Sequence, residues 1–98
     1  LMYDVVHDYV ERRAPFRQEH ITLAREAAAR GELILGGALA KPADGVVLLF
    51  RGSSPAPAEA FAKSDPYVVN GIVTAWRVRE WTTVVGPDAE NPLPQNLS

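Results

Sequence analysis

The chain has 98 residues, no cysteine, 47% hydrophobic and 22% charged residues and a formal net charge of -2. This is the composition of one ordinary globular domain, and it excludes a disulfide framework and a cysteine-based metal site. A domain of this size buries only roughly 60–65% of its unfolded surface, so oligomerisation is the support that remains open to it. The lack of thiols fits a reducing cytoplasm, and Asp4, Asp8 and Glu11 break the first apolar stretch where a secretory signal would be unbroken. The longest uncharged run, Pro66 to Trp76, is far shorter than the ~20 residues that span a bilayer. A soluble, cytoplasmic protein without membrane contact is expected.

Divided along the chain, the charge is informative. Residues 1–85 carry all ten Lys and Arg and ten of the twelve acids, so the body is neutral and the -2 comes from Asp88 and Glu90. A neutral body argues against nucleic-acid binding, which needs a basic excess. The segment 86–98 holds Pro87, Pro92 and Pro94 and little apolar content, and is expected to be a disordered acidic tail following a domain of residues 2–85.

In chain order, Met2 to Tyr9 alternates loosely and reads as a strand. Ala14 to Arg30 reads as a helix, with Pro15 tolerated in its first turn and Gly31 as its stop. Phe16, His20, Leu23, Ala24 and Ala27 share one face of that helix. Leu33 to Ala40 and Val46 to Arg51 read as a hairpin around Pro42 and Asp44-Gly45. Ala56 to Lys63 reads as a short amphipathic helix, and Ile72 to Val85, rich in Val, Ile, Thr and Trp, as a long last strand.

The order β-α-β-β-α-β is that of a ferredoxin-like plait, an α+β fold with an antiparallel four-stranded sheet, expected strand order 4-1-3-2, and both helices on one face. Val46, Leu48 and Phe50 point to one side of their strand and Val47 and Leu49 to the other, so both faces are apolar. The helices cover one face only. A homodimer packed sheet to sheet would cover the second, and folding of the last strand and tail over it is the alternative.

Two histidines are present. His7 has nothing to distinguish it, whereas His20 lies on the apolar helix face, where an imidazole is either a satisfied core group or faces a cavity. In the plait, the segment entering strand four lies near the start of helix one, and His20 is only ~7–8 Å along that helix at ~1.5 Å per residue. Asp65 can therefore meet His20 and leave its second nitrogen as a general base. Asp65 followed by Pro66 can equally be a helix N-cap. Arg17 lies one turn before His20 and Arg13 precedes the helix; both can bind an anion or simply be solvated. Gly36-Gly37 permits close approach of a ligand or of another backbone. With no Cys and one plausible ligand His, a transition-metal site within one chain is not expected, and no nucleophile elbow or phosphate loop is present.

Arg13, Arg17 and His20 in RAPFRQEH, Gly36-Gly37 in GELILGG, Asp65, Pro66, Tyr67 and Gly71 in AEAFAKSDPYVVNGIV, and VREW near the end together resemble the YciI-like (YCII-related) family over about residues 2–85. The resemblance implies a dimeric ferredoxin-like fold and an active-site cleft around a His-Asp pair, here His20 and Asp65. It departs at Gly36-Gly37, where some relatives carry Gly-Pro, which puts the detail of that wall in question. The expectation is a small enzyme without cofactor or metal, in which His20 and Asp65 perform general acid/base chemistry (proton abstraction, elimination or a hydrolysis-type step) on a small anionic or phenolic molecule. Arg17, Arg13, Tyr67 and Gly36 are its candidate substrate-binding residues. The alternative is a non-enzymatic dimeric domain that binds a small molecule or acts as an accessory.

Overall fold

A computed structural model describes residues 1–94 of the chain. The chain passes through β1 (Met2–Val5), α1 (Tyr9–Arg12), a 3-10 turn (Ala14–Phe16), α2 (Arg17–Ala29), β2 (Leu33–Ala38), β3 (Gly45–Phe50), α3 (Ala56–Ser64), α4 (Pro66–Val69) and β4 (Val73–Arg77). The strands form one sheet in the order β2-β3-β1-β4, which is β4-β1-β3-β2 from the other edge, with every neighbouring pair antiparallel. The fold is α+β, with an open antiparallel sheet and helices packed on it.

The face bearing the helices is set by strand alternation. Tyr3, Val46 and Leu48 are buried and join Ala27 of α2, Ala58, Phe61 and Ala62 of α3 and Tyr67 of α4 in one core. Phe16, Leu23 and Ala24 pack partly against it, as the helical spacing predicts, while Gln18, Glu19, Arg25 and Glu26 face solvent. On the other sheet face Leu35 is 71% and Val47 42% exposed. These residues and Leu49 share a shallow concavity with Trp81, which lies in the segment after β4.

The helix stop at Gly31 holds: it adopts φ +78 and its neighbour Glu32 donates its amide to Ala27. That left-handed position closes α2 and turns the chain into β2. Gly71, at φ +73, does the same after α4, with Ile72 donating to the Tyr67 carbonyl.

Most element boundaries move by one or two residues from the sequence expectation, β2 ending at Ala38 rather than Ala40, and three differences alter the architecture around the site or the sheet. The first strand ends at Val5, not Tyr9, because its register with β4 shifts after Asp4 and Tyr9 turns inward as the buried start of α1. The first turn of the long helix is 3-10 through Phe16, so the α-helix starts at Arg17. The last strand spans only Val73–Arg77, since Arg77 pairs with Met2, the first residue of β1, and the ladder ends there. Residues 78–94 have no regular secondary structure, yet Asn91 and Leu93 donate amides to Thr83 and Val84, and Glu90 pairs with Arg51 at 2.9 Å. The expectation of disorder extends to residues 95–98, which lie outside the described residues. No helix among the described residues is long and apolar enough to cross a membrane.

Candidate active site

The corner between α3 and α4 places Asp65. A residue before proline is driven out of the helical region, and Asp65 adopts φ -68, ψ 123, which ends α3 and aims its side chain back at the next turn. There Oδ1 accepts the Tyr67 amide at 3.0 Å as the N-cap of α4. The same carboxylate accepts Nδ1 of His20, at 2.9 Å to Oδ1 and 3.0 Å to Oδ2. Oδ2 also accepts the Tyr3 hydroxyl at 2.7 Å. Cap and partner of the histidine, alternatives in the sequence, are therefore held at once by one fully buried side chain.

A carboxylate removed from water is costly unless its lone pairs are filled, and three donors from three separate elements fill these. The arrangement also fixes the imidazole. Towards a carboxylate that only accepts, Nδ1 is the donating nitrogen, and in the neutral imidazole the lone pair is then on Nε2. Nε2 makes no hydrogen bond among the described residues. Such a nitrogen can take a proton from a molecule that reaches it.

Aromatic rings complete the surroundings of His20. Its imidazole stacks on Tyr67, with ring centroids 3.9 Å apart and planes 9° from parallel, and meets Phe61 edge-on at 6.2 Å. Tyr9 meets Tyr67 edge-on at 5.9 Å, and the Arg13 guanidinium lies 4.9 Å from the centre of the Tyr9 ring. Burial pushes the Tyr3 phenol well above its ordinary pKa, reinforced by the Asp65 charge and hydrogen bond. Burial also raises that of Tyr67, helped by Tyr9 and opposed by the Arg17 and Arg13 charges. The Arg17 guanidinium stands beside the Tyr67 hydroxyl, where its charge and N–H groups favour the phenolate, but the two do not reach hydrogen-bond geometry and the hydroxyl has no partner among the described residues.

His20, Asp65 and Tyr67 thus come into direct contact, with Arg13 and Arg17 around them. Gly36 is placed elsewhere: on β2 opposite Leu48, it lines the concavity shared with Leu35 and Trp81, which contains neither His20 nor Asp65. A Cβ there would stand 3.2 Å from the Leu48 side chain, so the close approach that glycine permits is to the core. His7 is exposed beside Asp8. Sequence reasoning missed Tyr3, Tyr9 and Phe61. The signal for Tyr3 was an inward strand position, since a buried tyrosine hydroxyl generally finds a partner.

A family model described as YCII-related domain matches residues 1–82. No curated protein matches the chain, and no solved structure does.

Proposed function

The chain belongs to the YCII-related domain family, and on that premise we propose that it is a small acid/base enzyme in which Nε2 of His20 takes and returns a proton on a small organic molecule. The observation that carries this reading is the contact of Nδ1 with the buried Asp65 carboxylate at 2.9 Å. That contact orients the ring, holds the tautomer and stabilises the imidazolium formed when Nε2 accepts a proton. Asp65 is the orienting partner, Tyr67 the wall against which the ring is stacked, and Arg17 and Arg13 the cations that attract an anionic or phenolic substrate. Proton abstraction, elimination and a hydrolysis-type step all suit this pair. The site is assigned to a cytoplasmic protein that needs no cofactor.

The sheet is read as a ferredoxin-like plait, and its open face, with Leu35, Val47 and Leu49, as the surface on which a second copy packs. Apolar side chains exposed on one sheet face of a domain this small favour such a cover.

The test is proton exchange. In deuterated buffer with a panel of small keto acids and phenolic acids, the protein is expected to accelerate loss of an activated C–H signal, and His20→Gln to abolish that acceleration while remaining folded. Equal rates in the two proteins would overturn the reading. Binding of a panel member without exchange in either protein would favour the non-enzymatic binding domain, a reading supported by the second use of Asp65 as the cap of α4.

A further inference from the structure

The acid/base reading leaves one group unused. Tyr67 is fully buried, yet its hydroxyl has no hydrogen-bond partner among the described residues. Buried hydroxyls are nearly always paired, and an orphan that persists commonly marks a place completed by a ligand. The charges beside it are of one sign. Arg17 opens α2 one turn before His20, and Arg13 is held over Tyr9, whose ring edge meets Tyr67. Among the described residues Arg13 and Arg17 pair with no carboxylate, as Arg12, Arg25 and Arg79 do not, and what sets these two apart is that both charges act on the Tyr67 phenol. Two guanidinium groups around the start of a helix also oppose its dipole, which an anion bound among them would relieve.

The stack ties the base to the phenol. Nδ1 of His20 and the amide of Tyr67 both face Asp65 at the backbone end of Tyr67. The imidazole, Nε2 included, lies parallel over the phenol ring that carries the unpartnered hydroxyl.

We propose that the Tyr67 hydroxyl, Arg13 and Arg17 form a carboxylate-binding subsite beside Nε2 of His20. The substrate class is then a small carboxylic acid whose acidic C–H or O–H lies a few bonds from the bound carboxylate. A planar carboxylate matches the donors available: its two oxygens take the parallel N–H groups of a guanidinium and one phenol O–H. This inference rests on the reading of His20 as the base, but it is tested by binding alone.

The experiment is titration of the full chain with benzoate, followed by NMR of the arginine side chains and the Tyr67 amide. Saturable shifts at Arg13, Arg17 and Tyr67 are expected. Arg17→Gln is expected to weaken binding about tenfold or more and Tyr67→Phe several-fold, as loss of a charged and of a neutral donor to a carboxylate implies. Because Tyr67→Phe removes an orphan hydroxyl and keeps the stack, its melting temperature should not fall. Benzoate affinity and proton exchange are both read on the parent chain, because His20→Gln removes the ring stacked on Tyr67 along with the base. Absence of exchange with benzoate binding intact, or the reverse, would thus separate failure of the base from failure of the subsite. The proposal is overturned if benzoate gives no saturable shift, if inorganic phosphate binds the same residues as tightly, or if Arg17→Gln and Tyr67→Phe leave the affinity unchanged.

Discussion

The imidazole of His20 lies flat on the ring of Tyr67, with centroids 3.9 Å apart and planes 9° from parallel. Tyr67 is two residues beyond Asp65, so a single corner of the chain supplies the histidine both with its hydrogen-bond acceptor and with the surface that orients its ring. One turn of backbone, capped by Asp65 itself, therefore sets two coordinates of the candidate base.

Substitutions at Asp65 should separate its two roles. Asn is as good an N-cap as Asp and its carbonyl oxygen accepts hydrogen bonds, so Asp65→Asn should keep α4 and lose the charge opposite His20. Asp65→Ala strands the Tyr3 hydroxyl, the Tyr67 amide and His20 Nδ1 together, at an expected cost of about 3–5 kcal/mol. Chemical denaturation of the two variants checks this: the Ala variant should be clearly the less stable, and equal losses would mean that capping contributes little.

Tyr3→Phe deletes one of the three donors to the buried carboxylate without leaving a large cavity. A loss of about 1.5–3 kcal/mol is expected, the range for hydrogen bonds to charged groups. The Nδ1 proton resonance of His20 should move as well, because the carboxylate it donates to then has a lone pair to redirect. A variant as stable as the parent, with that resonance unmoved, would remove Tyr3 from the site.

The raised Tyr3 phenol pKa has a signed consequence for stability against pH. Above the ordinary tyrosine value of about 10, the unfolded chain loses this proton while the folded chain keeps it. The unfolded state then binds fewer protons, so unfolding free energy falls as pH rises, by up to about 1.4 kcal/mol per pH unit for one group. The contribution is fully present below about pH 10 and is lost above it. Denaturation midpoints measured between neutral pH and pH 11 should fall in the parent, and less steeply in Tyr3→Phe.

On the open sheet face, Val47→Asp should leave the protomer folded, because Val47 is 42% exposed within a single chain. A charge at the centre of a sheet-to-sheet interface would be desolvated without a partner and should dissociate it. Sedimentation of the parent as a dimer and of the variant as a folded monomer is the expected pair of results. A parent that stays monomeric at micromolar concentration would eliminate this interface.

The N-cap chemistry of Asp65-Pro66, the stop at Gly31, the turn between β2 and β3 and the placement of His20 on the inward face of α2 were all legible in the sequence. Each depends on residues within a few positions of one another, where backbone preference and helical or strand periodicity act directly. The extent of β4 was not legible. Its composition continues to favour a strand after Arg77, but a strand lasts only as long as its neighbour, and β1 reaches no further than Met2 in that ladder.

The sequence by itself determined which groups were available: a helix-borne imidazole, an aspartate before proline, and two arginines upstream. Only the tertiary structure decided that the aspartate serves as cap and partner together, that Tyr3 from the sheet is its third donor, and that Tyr67 rather than Gly36 stands against the histidine. Tyr3 and Asp65 are 62 positions apart and His20 and Asp65 are 45 apart. Contacts at that separation follow from how α2 and the α3–α4 corner settle on the sheet, through the packing of Phe61, Ala62 and Ala27, and no local pattern of residues encodes that geometry.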